Sequence, residues 1–108
     1  FIVDTPGREP EFLTAVAAAG AQVIAFTTGL GAPQGFPFVP VVKITGNPIT
    51  YKQLPDHIDI FVELGDKANQ AGQAIYKEIL AVASGKQTKA EIINYGNFPN
   101  IFTAGPVI

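Results

Sequence analysis

Short apolar runs that end abruptly in small polar residues recur along the chain. Phe1-Ile2-Val3 stops at Asp4-Thr5-Pro6-Gly7, Val23-Ile24-Ala25-Phe26 at Thr27-Thr28-Gly29, Val41-Val42-Lys43-Ile44-Thr45 at Gly46-Asn47-Pro48, and the run from Ile58 to Leu64 at Gly65-Asp66. Each reads as a buried strand closed by turn residues, and Ile101-Phe102-Thr103 adds a fifth strand-like piece. Between these runs the apolar spacing turns helical. Glu9-Pro10 opens a helix with Phe12, Leu13, Val16 and Ala17 on one face, and Gly20 ends it. The longest helix is predicted from about Lys67 to Ser84, with a stripe of Ala68, Ala71, Ile75, Ile79, Val82 and Ala83 and with Gly85 just past its end. Thr88-Lys89-Ala90-Glu91 is a capping-box pattern for a short helix ending near Gly96, and the segment around Thr50 to Leu54 reads as irregular or helical.

Near-continuous apolar strands alternating with helices predict an α/β fold with a parallel or mostly parallel sheet. The expectation is a single three-layer, Rossmann-like domain with about five strands and helices on both faces. In such sheets ligands bind outside the carboxyl ends of the strands. Four strand ends here carry small, polar or glycine residues on what would be one edge, although turns in any α/β protein favour the same residue types. The stretch from about Gly29 to Pro40, with glycines at 29, 31 and 35 and prolines at 33 and 37, is unusual among them. A structureless connection of about 12 residues in a small domain is commonly a functional loop or a disordered one. Its apolar flanks point to a shaped loop.

Composition narrows the picture. The 108 residues suffice for one domain, and 47% hydrophobic against 15% charged residues excludes the disordered class. So charge-poor a chain implies that part of its surface is covered in the native molecule. A net charge of −2 without a basic run leaves no footprint for nucleic acid. No apolar run approaches the roughly 18 residues of a membrane span. The absence of cysteine removes disulfide scaffolds and thiolate metal sites. No Met occurs and the chain opens within an apparent strand, which leads to the expectation of a piece of a longer polypeptide.

Several residues carry two readings. Thr27 and Thr28 could donate to a carboxylate or a hydroxylated ligand, or could satisfy backbone groups at a strand end. The glycines after them could let backbone N–H groups cradle an anion. However, Gly29-Leu30-Gly31 opens no helix and lacks a following Gly-Lys-Ser/Thr, so phosphate-loop and dinucleotide fingerprints fail and a nucleotide-binding module is the weakest reading. Lys43, the one charge in its strand, could neutralise a substrate carboxylate or act as a base, or could be an edge lysine whose stem packs while its head reaches water. Asp4 is a metal ligand or base on one reading and a turn former on the other. His57, the single histidine, reads first as a loop residue, and Glu63 and Asp66 as caps. No spacing identifies a metal site by itself.

Taken in order, Phe1-Ile2-Val3-Asp4-Thr5-Pro6-Gly7, Phe26-Thr27-Thr28-Gly29-Leu30-Gly31 with Gly35, Val39-Pro40-Val41-Val42-Lys43-Ile44 and Thr45-Gly46-Asn47 resemble the C-terminal part of the galactarate/altronate dehydratase family of sugar-acid hydro-lyases, to which the sulfolactate sulfo-lyase large subunit also belongs. Ile58-Asp59, Ala83-Ser84-Gly85-Lys86 and Gly105-Pro106-Val107 extend the match to nearly the whole chain. The resemblance implies that residues 1–108 are the C-terminal domain of a larger cytoplasmic enzyme. That enzyme would be metal-dependent, commonly with Fe(II) bound mainly by upstream domains, and would convert an aldarate or aldonate to a 2-keto-3-deoxy acid. Carried over residue by residue, Asp4, Thr5, Thr27, Thr28, Gly29, Gly31 and Asn47 would bind substrate oxygens, and Lys43 would pair with a carboxylate as the catalytic candidate. The upstream domains, and another copy of the chain, are the implied macromolecular partners. Two departures stand out. Leu30 replaces the arginine usual between the two glycines, and Ile60-Phe61-Val62-Glu63-Leu64 replaces an Asn-Ala-Gly that usually follows the Ile-Asp pair. The rival reading is a domain without chemistry that binds a small anion or mediates oligomerisation.

Overall fold

The computed structural model describes residues 2–63, 65, 68–96 and 99–101. Its elements, in chain order, are α1 (Glu9–Ala18), β1 (Ile24–Thr27), β2 (Val41–Thr45), α2 (Pro48–Gln53), β3 (Ile60–Phe61), α3 (Ala68–Ala83) and α4 (Lys89–Ile92). The strands form one parallel sheet in the order β1-β2-β3. Ile24 to Thr27 register against Val41 to Ile44, and Ile44 and Thr45 against Ile60 and Phe61.

Central placement explains why every residue of β2 is buried. Its side chains alternate between two clusters, as the pleat requires. Val41 joins Leu13 of α1 with Ile24, Phe36 and Val39, whereas Val42 and Ile44 meet Val82 of α3. Parallel neighbours usually need a crossover helix. Between β1 and β2 the loop of residues 28–40 takes that role, burying Phe36 and Val39 beside Leu13. The shaped-loop expectation therefore has a packing basis.

The α/β class and the helices agree with expectation. Asn47 caps α2 through its side chain, and Thr88 and Glu91 complete the capping box of α4. The sheet differs. Among the described residues it has three strands in place of about five, and this small parallel sheet stands where a Rossmann-like, three-layer form was expected. Ile2 and Val3 are exposed and outside any strand, and so is Ile101. Phe1, Leu64, Asp66, Lys67 and residues 102–108 lie outside the described residues. A three-residue strand offers too few ladder bonds to offset its ordering unless a neighbour covers it. Among the described residues of the predicted run from Ile58, Ile60 and Phe61 form the strand, extended by a Val62 N–H bond to the Thr45 carbonyl at 2.8 Å.

Lys43 decides how α1 meets the sheet. It has no exposed surface, its Nζ bonds the Glu9 carboxylate in the first turn of α1, and it lies 4.2 Å from the centroid of the Phe26 ring. Asp59, just before β3, accepts the Lys43 backbone N–H at 2.7 Å and the Lys89 N–H at 2.8 Å, fastening α4 to the central strand. Burial pushes the Lys43 ammonium below its ordinary value of 10.5, against the opposing pull of the Glu9 hydrogen bond and the charges of Glu9 and Asp59.

Removing one partner of such a pair strands a buried charge. Glu9→Gln should lower the stability of the full-length protein in urea by about 3 kcal/mol, while the Glu9→Leu/Lys43→Met pair of substitutions should return within about 1 kcal/mol of wild type. Because the folded state holds the Lys43 proton less tightly than the unfolded chain, stability should rise with pH between the lowered value and 10.5. Unfolding midpoints across that range should lose this component of the slope in Lys43→Met.

Candidate functional site

Parallel pairing brings the carboxyl ends of β1 and β2 to one edge, and the residues there are knitted by hydrogen bonds. Thr28 donates its backbone N–H to the Ile44 carbonyl at 2.9 Å, while its hydroxyl accepts the Gly31 N–H at 3.0 Å. The buried Thr45 hydroxyl donates to the Thr28 carbonyl at 2.6 Å. Asn47 uses both ends of its amide. Its Nδ2 donates to the Gly29 carbonyl at 2.9 Å, and its Oδ1 accepts the N–H groups of Ile49 and Thr50 at 3.0 and 3.5 Å. The Thr50 hydroxyl adds a second donor to the Gly29 carbonyl at 2.7 Å.

These bonds shape the loop and leave its tip open. Gly29 and Leu30 are exposed, and neither backbone N–H has an acceptor among the described residues. Gly31 sits at φ +95°, and a Cβ there would lie 2.5 Å from Leu54 Cδ1. Only glycine suits that position without strain. Thr27, at the end of β1, is exposed beside this tip. The arrangement can present two amide donors and a hydroxyl to an oxygen of a small ligand.

Of the sequence candidates, Thr27, Thr28, Gly29, Gly31 and Asn47 come together at this edge. Asp4 and Thr5 lie elsewhere, in a cleft of about 590 Å³ that they line with Pro6, Gly7, Arg8 and Glu11. Lys43 belongs to neither opening, and the carboxylate it meets is that of Glu9. His57 packs edge-on against Tyr95 with ring centroids 5.5 Å apart. Sequence reasoning missed Thr45, Thr50 and Asp59 as the groups that hold the loop and the central strand. A hydroxyl at the end of a buried strand was the one available signal for Thr45.

The described residues contain no group of three or more His, Cys, Asp or Glu side chains placed to hold a metal ion. They do not fit the divalent metal that the resemblance implies. No described helix is long and apolar enough to cross a membrane.

Two substitutions test how the loop is held. Gly31→Ala should cost about 1–2 kcal/mol through its left-handed backbone, plus whatever Leu54 must give, read as a fall in the thermal midpoint. Asn47→Ala should cost about 1 kcal/mol or more, since it removes a helix cap together with a loop tether.

The sequence matches the family described as D-galactarate/Altronate dehydratase, C-terminal, over residues 1–106. Among curated relatives, it is 32% identical over 102 residues to the (2R)-sulfolactate sulfo-lyase subunit beta of Chromohalobacter salexigens, covering 91% of this chain and 26% of that protein. It is 34% identical over 94 residues to altronate dehydratase of Bacillus subtilis, covering 83% of this chain and 19% of that protein. The chain thus spans about a quarter or less of the length of these two relatives. With the ordered strand-end motifs and the loop they build, this match means that the chain belongs to the galactarate/altronate dehydratase family and corresponds to its C-terminal part.

Proposed function

We propose that the full-length protein is a metal-dependent cytoplasmic hydro-lyase that dehydrates an aldarate or aldonate to a 2-keto-3-deoxy acid, and that this chain supplies substrate-binding loops. The reaction removes the proton α to a carboxylate and expels the β-hydroxyl as water, and the enol formed tautomerises to the keto acid. It needs donors for the developing enediolate oxygens, a base, and an acid for the leaving hydroxyl. The observation that carries the proposal is the braced loop. With the Gly29 carbonyl held by Asn47 and Thr50, the Gly29 and Leu30 N–H groups stand in a fixed position for a substrate oxygen. Fixed donors stabilise developing charge without reorganising.

Thr27 would add a hydroxyl to that position, Thr28, Gly31 and Asn47 would keep the loop in shape, and Asp4 and Thr5 would contribute from their separate cleft. Lys43 would act through Glu9, holding the start of α1 and the segment that leads into it. Fe(II) with its ligands and the general base would come from the remainder of the protein, as would the other domains that cover the chain. A second reading rests on Leu30. Where relatives usually carry arginine this chain exposes an apolar side chain, 96% accessible, which favours an altered substrate or a domain that binds without turning over.

Turnover of the full-length protein should be measured with Fe(II) or Mn(II) against galactarate, altronate and sulfolactate. Formation of a 2-keto acid supports the hydro-lyase, sulfite release points to the sulfo-lyase activity instead, and no turnover by folded, metal-loaded protein favours the non-catalytic reading. In an active protein Thr27→Val should cut turnover roughly 10- to 100-fold, the loss of one hydrogen bond to a charged group, with an unchanged thermal midpoint.

A further inference from the structure

The first turn of α1 carries two acids with opposite fates. Glu9 turns into the core and is taken up by Lys43, whereas Glu11 lines the cleft with Asp4, Thr5 and Arg8. The Glu11 side chain is 12% exposed, and its Oε1 lies 3.3 Å from Nη1 of Arg8, the one arginine of the chain. Its Oε2 is buried and meets no donor among the described residues. A carboxylate offers about four acceptor sites, and this one uses a single long contact. Leaving a buried carboxylate oxygen without a donor is costly, so its persistence needs an explanation. A glutamate at this helix position often turns back to cap the helix start. Here the turn has no side-chain cap of its own, and Glu11 is held toward the cleft by Arg8.

We propose that Glu11, oriented by Arg8, is a specificity-determining residue that accepts a hydrogen bond from a hydroxyl of a polyhydroxylated ligand in this cleft. The inference deepens the hydro-lyase reading and rests on it for the identity of the ligand. Charge favours a hydroxyl over a second carboxylate. Among the described lining residues Asp4 and Glu11 outnumber Arg8, and Lys43 is spent on Glu9, so these side chains favour a hydroxyl donor over a second carboxylate. A hydroxyl can donate to Glu11 and accept from Arg8, whose side chain is 80% exposed and has donors to spare. The terminal torsion of glutamate is soft, so one oxygen can keep Arg8 while the other turns to the ligand.

The test uses the full-length protein and calorimetric titration with galactarate and altronate, each beside a chain of equal length without hydroxyls, adipate and hexanoate. Glu11→Gln should weaken binding of the hydroxylated acids roughly tenfold or more, while leaving adipate and hexanoate within twofold. Glu11→Asp, which keeps the charge and shortens the reach, should show the same selective loss, and the thermal midpoints should confirm that both variants fold. Equal losses for both kinds of probe, no loss in either variant, or no binding of a hydroxylated acid to wild type would overturn the assignment. Selective loss in a protein without turnover would keep Glu11 as a hydroxyl-binding residue and discard the hydro-lyase. Turnover with binding unchanged in Glu11→Gln would do the reverse.

Discussion

A lysine with no exposed surface in the middle of the central strand is the constraint around which the rest arranges itself. Ionised groups leave water only when paired and hydrogen-bonded. Lys43 meets that demand with Glu9, the Phe26 ring face and the nearby Asp59 charge, and each of these commits an element to a position. Glu9 sets where α1 starts against the sheet. Asp59, bonded to the backbone of Lys43 and of Lys89, sets where β3 and α4 meet β2. Apolar packing of Leu13, Val41 and Ile24 supplies most of the driving force on that side, but packing tolerates small slides that a buried ion pair does not.

The connection between β1 and β2 shows how a loop comes to serve as both packing and site. Having no helix, it buries Phe36 and Val39 to cover the sheet, and its first residues are then braced by side chains from β2 and α2. Residues expected to touch a ligand, Thr28 and Asn47 above all, spend their polar atoms on the loop itself. Under the proposed function their contribution would be the fixed direction of the Gly29 and Leu30 amides. Preorganisation of this kind is compatible with substrate variation, because the scaffold stays constant while the exposed residue at the tip changes.

Charge is also divided with economy. Of the two acids at the start of α1, one neutralises the buried lysine and the other faces an opening beside the chain's one arginine. The braced edge thus offers neutral donors, and the cleft offers an acceptor and a cation side by side.

Much was legible in the sequence because it is local. Strand runs, the capping box at Thr88, and the glycine-rich stretch after β1 are written in neighbouring residues, whose propensities act over a few positions. The family could be read for the same reason, since its motifs are short segments in a fixed order. Partnership was not legible. Whether Lys43 meets a substrate or Glu9, whether Thr28 binds a ligand or the Gly31 amide, and which acid of α1 stays in the cleft depend on groups far apart in the chain. The number of strands was not legible either, because a short apolar piece such as Ile2-Val3 becomes a strand only where a neighbour accepts its hydrogen bonds. A residue type states what a side chain can bond to, and only the tertiary structure decides which of those partners is within reach.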